Sequence, residues 1–351
     1  MQFLDDSLLP ENQEKLVITA APYGPEWAPE DFPEDIPVTM EEHIQKGVDC
    51  YNAGASVLHI HVRELDGKGS KRLSKFNELL AGLRNAVPDM ILQVGGSISF
   101  APEGDGAEAK WLSDDTRHML ADLTPAPDQV TIVANTHQMN IMDLMTRDQI
   151  ETTTLSRPEL YHAYREMTSP GTPSWVEEHL RRLTAKGIQP HFQLTGIPDL
   201  ETVHRLVRRG FYMGPLNITW VGIGGGFDGP SPYNFMEFIR RAPDGAVVTL
   251  ESVMRNVLPI NTMATAMGLH VRVGNEDNIW RSKGVHITSV EQIEQAARIS
   301  RELGREVATA KEAREIYKIG VQYQSVDETL RKLGMSPNRA EGQRSVPLYT
   351  N

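Results

Sequence analysis

The chain has 351 residues, 40% of them hydrophobic and 23% charged, which suits a soluble globular enzyme of one large α/β domain or two smaller ones. A formal net charge of −12 argues against a nucleic-acid partner, which requires a basic footprint, but leaves room for a local cationic pocket. No apolar run approaches the roughly 18–20 residues that span a bilayer, and the first residues lack the basic-then-apolar layout of a signal peptide, so no membrane partner and a cytoplasmic location are expected.

Short apolar runs alternate along the chain with longer amphipathic ones. The first candidate strand, Leu16–Pro22, precedes a helical stretch over Met40–Asn52, in which the sole cysteine, Cys50, reads as a packed thiol. Further strands are expected at Ser56–Arg63, Met90–Gly96, Gln129–Asn135, Ile188–Leu194, Leu216–Ile223, Ala246–Ser252 and His270–Glu276. Helices fall between them at Lys75–Asn85, Pro173–Lys186, Asp199–Arg209, Tyr233–Arg241 and Ile260–Met267, and beyond them at Val290–Leu303 and Ala310–Lys318. Strands alternating with helices imply a parallel sheet. Eight such units fit a closed (β/α)8 TIM barrel better than an open doubly wound sheet, because no glycine fingerprint follows the first strand. The barrel is expected over residues 1–320. Residues 321–351 form a C-terminal extension that reads either as an arm clasping a neighbouring subunit or as a loosely ordered terminus. Phe100–Asp115, rich in Gly, Glu and Ala, follows the third strand and is placed to help close a site at the barrel rim.

Chemistry concentrates on two strands. In Ser56–Arg63 the two-residue alternation sends Leu58, Ile60 and Val62 outward and His59, His61 and Arg63 into the barrel. Two imidazoles one strand-repeat apart can reach one metal ion; two core histidines bonded to backbone or carboxylates are the alternative. In His270–Glu276, His270, Arg272 and Glu276 share the inward face, with Glu276 at the rim. Two histidines and one carboxylate leave an open coordination position, the pattern of catalytic zinc; pairing of Glu276 and Asp277 with Arg272 or Arg281 is the competing reading. Asp277 stays at the rim but turns away from the metal, as a general base or orienting carboxylate. Arg272 is suited to clamp a carboxylate or oxyanion, or else to balance charge inside the barrel. Gly96 and Ser97, in a Gly95-Gly96-Ser97 turn, offer backbone N–H groups and a hydroxyl to an anion, or form an ordinary turn. His191 and Gln193, and Thr249 with Glu251, either line the pocket or satisfy each other. His137 and His162 are expected in solvated loops.

The run Asp35-Ile36-Pro37-Val38-Thr39, then Ala53-Gly54-Ala55, the sequence His59 to Arg63, HVRVGNEDNIW at 270–280 and GREVATAKEAREI at 304–316 together resemble the β-keto acid cleavage enzyme family, of the 3-keto-5-aminohexanoate cleavage enzyme type. The resemblance runs from about Leu16 to about Gly320. It implies zinc (Zn2+) on His59, His61 and Glu276, and a β-keto acid condensed with acetyl-CoA to give acetoacetate and a new acyl-CoA. It also implies proton transfer and carbon–carbon bond steps assisted by Asp277 and Arg272, substrate contacts from Ser97, Gly96, Arg63 and Glu159, and a homotetramer. Tyr23 and Asn275 depart from the family pattern, which suggests an unusual substrate. Two other readings stay open: a metal-dependent retro-aldol lyase or hydrolase working without CoA, and a non-catalytic barrel that binds a small ligand.

Overall fold

A computed structural model describes residues 1–3, 5–96, 117–224, 228–252, 254 and 258–343. Eight parallel strands close a barrel: β1 (Ile18–Ala20), β2 (Val57–Ile60), β3 (Ile91–Val94), β4 (Gln129–Val133), β5 (Gln189–Leu194), β6 (Asn217–Val221), β7 (Val247–Glu251) and β8 (His270–Val273). Each pairs with its neighbours in sequence, and β8 closes onto β1 with Arg272 opposite Thr19. All eight expected strands are present. All eight are shorter than expected, because ladder pairing stops where the strands diverge into loops.

Local chemistry explains the helices. Thr39, Thr288 and Thr309 each cap a helix (Met40–Ala53, Ser289–Glu302 and Ala310–Ile316), with Glu42, Glu291 and Glu312 reaching back to complete a capping box. Outward side chains such as Leu58, Ile60 and Val62 pack on Phe76, Leu79, Leu80 and Leu83 within one large apolar core. Cys50 is buried there as a free thiol.

Inside, the barrel is polar. Its N-terminal mouth is closed by Ala310–Ile316 and the following Tyr317, which pack on Val17, Val57 and Ile91, with the Tyr317 hydroxyl 2.8 Å from Thr249 Oγ1. The opposite mouth is roofed by residues that sequence periodicity left as loops. Strands His137–Gln138 and Thr168–Ser169 pair there, the helix Pro158–Arg165 follows Arg147–Glu151, and Tyr23, Trp27, Met139 and Met142 join one apolar cluster.

Over its described residues the C-terminal extension lies on its own barrel. Leu330 and Leu333 enter the main core, and Asn338 Nδ2 donates to Arg208 O at 2.9 Å. Phe100–Asp115 lies outside the described residues.

Candidate active site

His59 lies on the inward face of β2, and His61 follows one residue past the last ladder pair. Their Nε2 atoms face each other at 3.2 Å, and Glu276 Oε1 lies 3.5 Å from each. One donor atom from each residue falls within 4.8 Å of the others, and all three side chains are buried. Glu276 reaches this point by a route that strand alternation does not supply. Gly274, with φ 140°, ends β8 where a Cβ would stand 2.2 Å from Ala21 O, and the Glu276 N–H then donates to that same carbonyl at 3.0 Å. Gly95, after β3, passes so close to the imidazoles that a Cβ there would stand 2.3 Å from His61 Nε2 and 2.9 Å from His59 Nε2.

Arg272 is the hub of the charges. Its Nη2 donates to Glu276 Oε1 at 2.6 Å and to Asp277 Oδ1 at 2.7 Å, its Nε to Asp277 Oδ2 at 2.9 Å, and Nη1 lies 3.2 Å from a carboxylate oxygen of Glu251. Both expected partners of Arg272 are therefore paired with it, while Arg281 pairs with Glu291 instead. Burial pushes the carboxyls of Glu251 and Asp277 upward, although Arg272 opposes it. For Glu276 burial also acts upward, but Arg272 wins and holds it well below the usual range. Burial keeps His59 neutral, its pKa pushed down to about 4.

His59, His61, Glu276, Arg272 and Glu251 line a cavity of about 50 Å³ together with Gly96, Gln193, Thr195, Ser169, Met139 and Met167. Glu26 lies on its wall, and a Cβ at Gly24 would meet both Glu26 Oε2 and the Glu276 side chain. Burial and the charge of Glu276 raise the Glu26 carboxyl well above the ordinary value. Four carboxyl groups thus gather near Arg272. Among the described residues, Oε2 of Glu26 and of Glu276 have no hydrogen-bond partner. Two facing imidazole nitrogens and a charged carboxylate, with further carboxyl groups close by, suit a divalent cation held by His59, His61 and Glu276.

The remaining expected residues separate. Asp277 braces Arg272 and does not line the cavity. Arg63 spends its terminal nitrogens on the carbonyls of Gly24, Trp27 and Gly67, tying down the loop that carries Glu26. Glu159 is exposed in the first turn of Pro158–Arg165 and lines a larger cavity of about 590 Å³, whose boundary shares Pro25 and Glu26 with the smaller one. Ser97 lies outside the described residues. Gln193 does line the site and donates to Glu251 at 3.3 Å, whereas His191 bonds Thr219 and Thr249 bonds Tyr317. His137 is not a solvated loop residue: it is buried on a short strand, 2.9 Å from Asp199. His162 is in a helix. Neither Tyr23 nor Asn275 lines the cavity. Asn275 instead donates to Asp35 at 2.6 Å and accepts from Gln292 at 3.0 Å, and these bonds account for its departure from the pattern. Glu26 was missed because Gly-Pro-Glu in a loop has no periodicity to aim it.

Residues 15–319 match the family model described as beta-keto acid cleavage enzyme. A 3-keto-5-aminohexanoate cleavage enzyme of Acetoanaerobium sticklandii is 30% identical over 86% of this chain and 98% of its own length. A 3-dehydrocarnitine:acetyl-CoA trimethylamine transferase of Rhizobium meliloti is 25% identical over 81% of this chain and 90% of its own. In fold, the chain is similar to a solved binary complex of ObcA with oxaloacetate, with a TM-score of 0.57 at 13% identity over 82% of this chain and 68% of that one.

Proposed function

This chain belongs to the beta-keto acid cleavage enzyme family, and from that premise we propose that it is a zinc-dependent enzyme that condenses a β-keto acid with acetyl-CoA, releasing acetoacetate and a new acyl-CoA. The observation that carries the reading is the meeting of His59, His61 and Glu276 beside Arg272 in one buried cavity. Acetyl-CoA appears in the names of the Rhizobium meliloti relative and of a 3-oxoadipate:acetyl-CoA acetyltransferase of Cupriavidus necator, which supports its role as co-substrate here.

Overall, R–CO–CH2–COO⁻ and CH3–CO–SCoA exchange acyl groups to give R–CO–SCoA and CH3–CO–CH2–COO⁻. The carbon between the keto and carboxylate groups loses a proton and attacks the acetyl thioester carbonyl, expelling CoA thiolate; that thiolate then takes the original acyl group, and the freed carbon regains the proton to give acetoacetate. A divalent cation on His59, His61 and Glu276, when bound, supplies Lewis-acid polarisation of the keto oxygen. Arg272 stabilises negative charge developing on substrate oxygens, at a position Asp277 fixes with two hydrogen bonds. The substrate proton passes to the carboxyls around Arg272, with Glu251 on the cavity side and Asp277 behind. Gly96 and Ser97 are assigned to the substrate carboxylate, and Arg63 and Glu159 to the approach from the larger cavity. A homotetramer is part of the same reading, checked by the mass in solution.

The test is incubation of zinc-loaded protein with a panel of β-keto acids, with and without acetyl-CoA. Acyl-CoA and acetoacetate in equal amounts, formed only in the complete mixture, are expected. Turnover without acetyl-CoA would transfer the site to lyase or hydrolase chemistry.

A further inference from the structure

The barrel wall beneath His59 is made of amides where branched hydrocarbon is usual. Gln93, Gln129 and Gln189 stand opposite one another on β3, β4 and β5, and His59 stands opposite Gln93 on β2. All four side chains are buried. They form one continuous chain of hydrogen bonds. His59 Nδ1 lies 2.8 Å from Gln93 Oε1; Gln93 Nε2 donates to Gln129 Oε1 at 2.8 Å; Gln129 Nε2 donates to Gln189 Oε1 at 2.7 Å. Gln189 Nε2 ends the chain on the backbone carbonyls of Tyr317 and Lys318, at 3.0 and 3.2 Å.

The far end dictates the direction. A backbone carbonyl can only accept, so Gln189 must present its NH2 to residues 317 and 318 and its oxygen to Gln129. Reversing any one amide sets two acceptors or two donors against each other in a buried site, where neither finds water in exchange. The same requirement passes to Gln129 and then to Gln93, which turns its oxygen toward His59.

We infer that Gln93, Gln129 and Gln189 act as a one-way amide relay, anchored on the Tyr317 and Lys318 carbonyls, that fixes His59 as its Nδ1–H tautomer and turns the bare Nε2 toward the site. The three glutamines are positioning residues, since none ligates. His61 has no such support, its Nδ1 lacking a partner among the described residues. In metal-free protein His61 is therefore the donor across the 3.2 Å gap between the two Nε2 atoms. The helix that plugs the bottom of the barrel thereby orients a ligand at its top. The consequence for a cation rests on the proposed metal centre, but the tautomer does not.

The experiment uses full-length protein labelled with 15N-histidine, stripped of metal, with ring nitrogens assigned by long-range 1H–15N correlation at mildly alkaline pH. Wild type should show His59 protonated on Nδ1 and His61 on Nε2. Gln129→Met keeps the volume of the side chain but removes its amide without touching His59. It should mix the His59 tautomers and weaken zinc binding by roughly ten-fold or more, measured by chelator competition. Gln189→Met should act in the same direction and serves if the first variant does not fold. A wild-type His59 protonated on Nε2 overturns the relay. So does a folded Gln129→Met or Gln189→Met protein with melting temperature lowered but tautomer and zinc affinity unchanged. Wild type that shows the expected tautomers yet binds no divalent cation overturns the metal reading alone.

Discussion

Gly95 lies against His61 at a distance that no other residue type tolerates: a Cβ at position 95 would be 2.3 Å from His61 Nε2, on the side of the ring that faces His59 and Glu276. The glycine keeps a ligand position clear at a point where the backbone N–H is already committed to Ile60 O at 3.1 Å. Gly95→Ala should therefore displace the imidazoles rather than the strand. Metal content by mass spectrometry is expected to fall from one per chain to well below half, with the circular dichroism spectrum unchanged. Full metal content in the alanine variant would show that the ligands lie elsewhere.

Asn275 immediately precedes the proposed ligand Glu276 yet points away from it, into a buried set made by Asp35, Gln292 and Ser289. Asp35 also accepts from the Ser289 N–H at 2.8 Å and pairs with Lys46 at 2.6 Å. Asn275→Leu leaves Gln292 and Asp35 each one partner short, which costs about 1–3 kcal/mol. Urea denaturation should show that loss with KM for the keto acid unaltered. A changed substrate preference with no loss of stability would contradict the structural role given to Asn275.

The strand alternation of His59 and His61 was legible because a two-residue period is a local property of the chain, and the order of eight βα units placed both at the rim. Glu276 was legible in identity but not in route, since the turn at Gly274 depends on close contact with Ala21 from another strand. Sequence spacing gave no hint of the roof. His137 owes its burial to a contact with Asp199, and Glu26 its place to contacts with the site, both far away in the chain, and no local pattern encodes those. The glutamines of β3, β4 and β5 resisted reading for the same reason: nothing within any one strand links its glutamine to the next until register sets them side by side.

Buried histidines should pull stability down on the acid side of neutrality, against the opposite pull of Glu251 and Asp277, whose raised carboxyls bind protons first in the folded state. Burial holds His43 down to about 4 and His179 and His191 down to about 3, so each is neutral in the folded protein. Unfolded histidines titrate near 6.5. Above that value neither state binds the proton and the full stability is present. Between about 6.5 and the depressed values only the unfolded chain takes it up, so stability falls with falling pH, by up to about 1.4 kcal/mol per unit for each histidine. Denaturation midpoints measured from pH 7.5 to pH 5 check the sign, and His191→Gln, which can still bond Thr219, should flatten the slope. A slope left unchanged by His191→Gln would refute the assignment.

Arg272 separates charge from geometry at the centre of the site. It serves Asp277 through two nitrogens, Glu276 through one of the same, and Glu251 through a third. Lysine keeps the charge but loses the planar fork, so Arg272→Lys cannot hold three carboxylates at once. Its kcat should fall by roughly 10²–10³-fold, the usual cost of removing one preorganised donor from a developing oxyanion. Arg272→Leu goes further and strands buried carboxylates, a loss of about 3–5 kcal/mol in stability unless a cation or protons replace the guanidinium. The two variants therefore diverge: the lysine protein should fold and bind metal but turn over slowly, and the leucine protein should be stabilised by acid. Near-normal kcat in Arg272→Lys would leave the guanidinium as a charge-balancing group and move oxyanion stabilisation to another donor in the cavity.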